Sequence, residues 1–267
     1  MCGRYASSAS PDDLVEELGV EDDRTGGVLE PDFNLAPTHP APVVLERPPR
    51  DEPSAPPVRQ LRVLTWGLVP SWAKDPSIGS RMINARSETL LDKPGFAKAA
   101  LARRALVPAD GWYEWQTSPT AKDAKGKPRK QPFFTRLADG GRLVFAGVYE
   151  FWRDTRLDPD DPQAWRTTYA IITTAAEPGL DRLHDRMPVV LPPQRWDRWL
   201  DPAVKDPDEV RALLAPLPPG RFEAHPVSRA VGNVANTGPE LTAPVPASEL
   251  EGVVDPMTGE VIGGAPA

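Results

Sequence analysis

With 267 residues, 40 % of them hydrophobic and 26 % charged, the chain has the composition of a folded globular protein and is long enough to bury a full core, most simply as one domain. One cysteine and three histidines exclude an internal disulfide and leave few ligands for a structural zinc site, so no metal and no cofactor is expected, and a reduced, cytoplasmic compartment fits. The net charge of −7 argues against a broad nucleic-acid surface, although a local cluster of cations can override the total.

The N-terminus has no basic segment followed by an apolar one, and no stretch approaches the roughly 18 apolar residues of a membrane span, so no membrane partner is expected. The chain opens Met1-Cys2-Gly3-Arg4-Tyr5. Loss of the initiator methionine, usual when a small residue follows, would place a thiol and a free α-amine on Cys2. The amine titrates at about 7.7–8.0 and the thiol near 8.5, so both nucleophiles are partly active at neutral pH. An aldehyde meeting this pair forms an imine with the amine, on which the thiol can close a five-membered thiazolidine. A lone cysteine is otherwise a small buried hydrophobe, and it becomes a nucleophile only with partners elsewhere in the chain.

Ser10-Pro11-Asp12-Asp13 predicts a helix start, with Ser10 as N-cap and Gly19 as the stop. The chain is rich in proline, 34 residues in all, and residues 30–57 are dense in it and without period. They read as loop, with 40–57 a surface excursion that is expected to be mobile near Pro48 to Pro57. Val58 to Trp66 reads as a strand, Phe96 to Arg104 as a short helix, and Ala105-Leu106-Val107 as a brief buried strand. A basic hairpin tip spans Lys122 to Lys130, ahead of an apolar strand at Phe133-Phe134. Further strands are expected over Leu143 to Phe151 and Tyr169 to Thr174, and short helices over Gln194 to Leu200 and Asp208 to Leu214. Residues 246–267 read as a disordered tail. Short strands interleaved with short helices, without long crossover helices, predict an α+β fold. No glycine-rich phosphate loop or dinucleotide fingerprint follows any predicted strand.

Four segments carry more polar chemistry than core strands need. Phe33 to Thr38 is a polar turn ending in Pro37 and Thr38. Met82 to Thr89 places Asn84, Arg86 and Glu88 at alternating positions, so an extended backbone would aim them at one face. Asp110 to Trp115 sets Glu114 between aromatic rings, where desolvation would raise its pKa towards the range of a general acid or base. Leu183 to Pro188 holds His184 between charges of both signs. Taken singly, each has an ordinary structural explanation: an Asx turn, a solvated strand face, a salt-bridged glutamate, a structural histidine.

Together with Cys2-Gly3-Arg4, the segments Asn34-Leu35-Ala36-Pro37, Trp66-Gly67-Leu68-Val69-Pro70-Ser71-Trp72, Ile83 to Thr89, Gly111 to Trp115 and His184 to Pro188 resemble the SRAP family, and the likeness continues through His225-Pro226-Val227-Ser228 and Val231 to Val234. The resemblance implies a single domain over residues 2–245 with a mainly antiparallel, partly barrel-like β core and short peripheral helices. It also implies a sensor of abasic sites in single-stranded DNA that cross-links to them through the N-terminal cysteine. Carried over by position, Cys2 would attack C1′ of the ring-opened sugar and Asn84 would orient the sugar or the terminus. Glu114 would shuttle protons, and His184 would assist ring opening. Arg4, Asn34, Pro37, Trp72, Arg86, Trp115 and Arg186 would meet the DNA, with arginines on phosphates and tryptophans stacked on bases. Ala73 stands where some relatives have a second tryptophan. A monomer is expected. Two other readings use the same residues: a cysteine peptidase, acting on itself or on others with Glu114 or His184 as base, and a non-catalytic binding module built on the tryptophans, which would leave Cys2 without a purpose.

Overall fold

The computed structural model describes residues 2–262 apart from Val28, Arg50, Asp123, Ala124, Pro159 and Glu251. The elements in chain order are β1 (Tyr5–Ser7), α1 (Pro11–Leu18), β2 (Asp22–Asp23), β3 (Asp32–Leu35), β4 (Pro40–Arg47), β5 (Val58–Trp66), β6 (Asn84–Arg86), α2 (Ala97–Ala102), β7 (Arg104–Ala109), β8 (Gly111–Lys122), β9 (Pro128–Leu137), β10 (Leu143–Arg153), β11 (Trp165–Ala175), β12 (Arg186–Pro188), α3 (Pro193–Leu200), α4 (Pro207–Leu213), β13 (Phe222–Pro226), β14 (Val253–Val254) and β15 (Val261–Ile262). Short 3-10 turns fill several of the connections. The α+β expectation and the barrel-like core both hold.

The barrel follows from pairing. Strands β11, β10, β7, β4 and β5 are joined in that order by antiparallel ladders, and a short parallel pairing of β5 with β11, Trp66 against Tyr169, closes the ring. Residues two apart on a strand share a face. Ala41, Val43 and Leu45 on β4, Ala105 and Val107 on β7, and Phe145 and Tyr149 on β10 therefore fill the interior with Trp66, Tyr169 and Ile171. The intervening residues, among them Val44, Leu106, Val144, Ala170 and Ile172, form a second core outside the ring, covered by Leu14 and Leu18 of α1, Ala99 and Ala100 of α2, Trp199 of α3 and Val210 of α4. Burial on both faces explains why these strands read as continuous apolar runs. A second sheet, β13-β9-β8-β1-β3, packs beside the barrel and carries the N-terminal segment.

Helix α1 begins and ends where its caps place it. Ser10 and Asp13 form a reciprocal capping box, and Gly19 closes the helix in the left-handed conformation at φ 62°. Arg104 shows why its strand starts where it does. The side chain is 2 % exposed, and its guanidinium donates to the carbonyls of Ala100, Trp199, Asp201 and Val204, satisfying the C-terminal ends of α2 and α3.

Two expectations are corrected. Residues 40–47 are not part of a surface excursion: β4 pairs with both β5 and β7, and Ala41 to Leu45 are buried. Its prolines, Pro40 and Pro42, fall towards the end where β7 no longer pairs with it, so the absent N–H groups interrupt no ladder on that edge. The tail is also ordered through Ile262. Leu250 and Val253 are buried against Phe133, Gln116 and Val254 exchange two hydrogen bonds, and Ser118 donates to Gly252 O. Residues 263–267 lie outside the described part. One motif also differs in detail, since only Asn84–Arg86 is extended while Ser87–Thr89 turns as a 3-10 segment.

Candidate active site

One strand assembles the site. At its C-terminal end β11 has β6 on one edge, with Ile171 opposite Asn84 and Thr173 opposite Arg86, and β12 on the other, with Ala175 opposite Arg186. Two motifs some hundred residues apart thus flank one barrel end. The third arrives through β1, whose Tyr5 pairs with Trp112 while Arg4 O accepts from Tyr113 N–H. Continued antiparallel, this register sets Gly3 opposite Glu114 and Cys2 opposite Trp115, which leaves the Glu114 charge within reach of the Cys2 thiol. The strands approach closely at Gly111, where a Cβ would lie 2.5 Å from Thr135 O. Gly67, at φ 120°, allows a similar approach to Gly79, whose carbonyl would meet a Cβ at 2.6 Å.

Cys2 is fully buried. Asn84 Nδ2 donates to the Cys2 carbonyl at 2.7 Å, while Asn84 Oδ1 is buried without a partner. Burial drives the Cys2 thiol pKa strongly up, and the Glu114 charge pushes it further, against the pull of the N-terminal charge and the Arg4 backbone N–H. The thiol is therefore protonated at neutral pH. Glu114 is 6 % exposed. Desolvation lifts its carboxyl from 4.5 to about 7, although the positive N-terminus favours ionisation. At the barrel end, a carboxyl that titrates near neutrality thus lies within electrostatic reach of a protonated thiol.

His184 Nδ1 lies 3.0 Å from the Arg186 backbone N–H and 2.7 Å from Asp185 Oδ1. The first contact suits a ring with its proton on Nε2, and the second a ring protonated at Nδ1, so the histidine has a partner in either state. Desolvation and the nearby N-terminal charge lower its pKa despite Asp185, which makes the neutral ring the main form at pH 7.

The expected DNA contacts divide. Trp72 is 61 % exposed. With Met82, Asn84, Arg86, Lys93 and Phe96 it lines an open groove of about 620 Å³ that leads to Asn84. Arg86 is exposed and forms no ion pair among the described residues. Pro37 and Trp115 are half-buried. Asn34, by contrast, is fully buried, and its amide donates to the carbonyls of Val231, Asn233 and Asn236 at 2.8–3.1 Å. It fastens the 229–236 loop rather than facing an open surface. Arg4 donates to Asn34 Oδ1 at 2.6 Å and to Val231 O at 3.0 Å, with its guanidinium 6.0 Å from the Trp115 ring centroid. Arg186 makes a bidentate pair with Glu88 at 2.7 and 2.8 Å and donates to Thr173 O. Both arginines hold the motif strands together.

Two tyrosines with no role assigned from the sequence lie beside Cys2. The Tyr5 and Tyr169 hydroxyls meet at 2.6 Å in full burial, and that burial raises the pKa of each, with Cys2 near enough to add to the rise. Only Tyr5 had a sequence signal, its place in the Cys2 motif. Among the described residues no group of three or more His, Cys, Asp or Glu could hold a metal ion.

The family model for SOS response associated peptidase (SRAP) matches residues 1–234. Abasic site processing protein YoqW of Bacillus subtilis is 35 % identical over 90 % of this chain and 98 % of its own length. YedK of Escherichia coli, also an abasic site processing protein, is 35 % identical over 92 % of this chain and 100 % of its own. The Xenopus tropicalis protein HMCES, named likewise, is 29 % identical over 94 % and 81 %. Among solved structures, a Bacteroides thetaiotaomicron protein superimposes with a TM-score of 0.73 at 22 % identity, covering 91 % of this chain and 100 % of its own. A phage-related protein from Bordetella bronchiseptica does so at 0.62 and 32 % identity, over 85 % and 95 %. With the motif residues assembled on one barrel end and the family model matched over residues 1–234, the chain belongs to the SRAP family.

Proposed function

We propose that the protein processes abasic sites in single-stranded DNA by forming a thiazolidine cross-link through Cys2 once Met1 has been removed. The observation that carries this reading is the placement of Cys2, fully buried and held through its carbonyl by Asn84 Nδ2 at 2.7 Å, within reach of the buried Glu114 carboxyl. An abasic sugar is mostly a closed hemiacetal, so ring opening must move a proton from the anomeric hydroxyl and supply one to the ring oxygen. His184, neutral at pH 7 and able to hold a proton on either nitrogen, suits that exchange. The Cys2 amine then adds to the C1′ aldehyde. Glu114 in its acid form gives a proton to the departing hydroxyl, which leaves as water, and the imine remains. The thiol adds across the C=N bond, forming S–C1′ while its proton passes through Glu114 to the nitrogen. Net, one water is lost. Asn84, donating to the Cys2 carbonyl, fixes the terminus for both additions.

An imine acidifies the C2′ protons and invites β-elimination, which cuts the strand, whereas the thiazolidine removes the imine and protects the lesion. The groove with Trp72 and Arg86 supplies an exposed ring and a cation with no ion pair among the described residues, the two features single-strand binding needs. The test is intact-mass analysis after incubation with a single-stranded oligonucleotide carrying one abasic site, beside Cys2→Ala. The expected product has the mass of the Met1-less chain plus the oligonucleotide minus one water, and is absent in the variant. Full removal of Met1 with no adduct would defeat the reading in favour of a peptidase.

A further inference from the structure

The barrel has a second end, and its interior face changes character there. Asn84 lies against Ile171, whereas Trp165 marks the other rim of β11, about 20 Å away at a strand rise of about 3.3 Å per residue. On β4 the inward series Ala41, Val43, Leu45 continues to Arg47. On β5 the position two before Leu64 is Arg62, and on β10 the position two after Phe151 is Arg153. The strand period puts all three arginines on the face that elsewhere fills the barrel. The Arg47 guanidinium lies 4.8 Å from the Phe151 ring centroid. Burial raises the Tyr149 pKa, and Arg47, Arg103 and Arg62 lie close enough to its hydroxyl to oppose that rise.

Among the described residues no ion pair neutralises these charges, and Asp22, itself paired with Arg24, reaches Arg62 only through space. Nearby Arg24 and Arg103 are paired with Asp22 and Glu150. Arg47, Arg62 and Arg153 form no ion pair among the described residues. Arg62 is half-buried and donates to Gln60 Oε1 at 2.9 Å. Burial and then the like charges of Arg47 and Arg24 lower its pKa. Arg153 Nε is buried with no partner. Guanidinium groups held together over an aromatic floor repel one another until an anion joins them, and their planar forks suit a tetrahedral oxyanion. Three unmatched positive charges favour an anion with more than one negative charge, hence phosphate over carboxylate.

We propose that this mouth is a second binding site, distinct from the Cys2 site, which takes a phosphate group between Arg47 and Arg62 with Arg153 at its rim. The group can come from a phosphate-bearing small molecule or from a nucleic-acid backbone, and the experiment separates these. Pyrophosphate binding to the full chain and to an Arg47→Gln/Arg62→Gln variant is measured by titration calorimetry and thermal unfolding, against chloride at equal ionic strength. In parallel, unmodified single-stranded oligonucleotides of two lengths are titrated by fluorescence anisotropy over a salt series. Pyrophosphate binding at least tenfold weaker in the variant, with unchanged oligonucleotide salt dependence, supports the small-molecule source. A log–log salt slope about 1.4 shallower for the longer oligonucleotide alone, about 0.7 per lost arginine, supports the backbone source. Wild-type and variant proteins that agree in both assays overturn the site. With like charges removed, the variant should melt in chloride no lower than wild type. Should it not fold, Arg62→Gln alone carries the same comparison.

Discussion

Replacing Glu114 by Gln should stabilise the protein at alkaline pH while abolishing its proton transfer. The carboxyl ionises near 4.5 in an unfolded chain and at about 7 in the fold, because burial penalises its charged form. A carboxyl whose folded pKa lies above its unfolded one costs the fold nothing below pH 4.5, where both states are protonated. The penalty grows as pH rises towards 7 and is constant above. At about 1.4 kcal/mol per pH unit, the separation between 4.5 and about 7 amounts to about 3 kcal/mol at pH 8. Glutamine keeps the shape without the charge, so the stability difference between Glu114→Gln and wild type should be near zero at pH 4.5 and about 3 kcal/mol in favour of the variant at pH 8. Urea denaturation at pH 4.5, 6 and 8 measures it, and taking the difference cancels titrations common to both proteins. In melting temperature the change at pH 8 is about 6–12 °C for a protein of this size. A difference that is flat with pH, or that favours wild type as pH rises, would refute the burial argument and with it the assignment of Glu114 as a proton carrier poised near neutrality.

Other outcomes follow from the same geometry. Asn34→Leu leaves the Asn233 and Asn236 carbonyls without their donor, while Val231 O keeps Arg4, and should lower stability by about 2 kcal/mol or more in denaturant titration, at about 1–3 kcal/mol per buried unsatisfied group. Trp72→Ala should leave the melting temperature unchanged, since the ring is 61 % exposed, and weaken binding of single-stranded DNA by about 1–3 kcal/mol in anisotropy titrations. Truncation after residue 245 removes Leu250 and Val253 from their contacts with Phe133, together with the Gln116–Val254 and Ser118–Gly252 bonds. At about 1.5–3 kcal/mol for each buried side chain, it should cost several kcal/mol, whereas a disordered tail would cost nothing.

Local rules located most elements because the deciding interactions are local. The Ser10 N-cap, the Gly19 stop and the partly alternating Val58–Trp66 strand each act within a few residues, and the structure places them as read. The proline-dense 40–47 segment misled for the opposite reason. Its turn-forming composition is a local preference, whereas its strand is held by Leu61 and Leu106 from distant strands opposite Val44. The tail misled likewise, since small residues and prolines predict no structure, yet Val253 finds a ready-made apolar site beside Phe133.

For the site, the sequence alone determined which reactive groups exist: one cysteine at position 2, a glutamate among aromatic rings and a histidine between charges. That follows because chemistry resides in residue identity and motif order. Tertiary structure decided what those groups are worth. The register of β11 with β6 and β12 sets the distance between Asn84 and Arg186, and burial moves Glu114 to about 7 and keeps the Cys2 thiol protonated. It also turned Arg4, Asn34 and Arg186 inward as fasteners and left Trp72 and Arg86 facing solvent. Solvation and charge proximity depend on which distant segments meet, and no local pattern encodes those meetings.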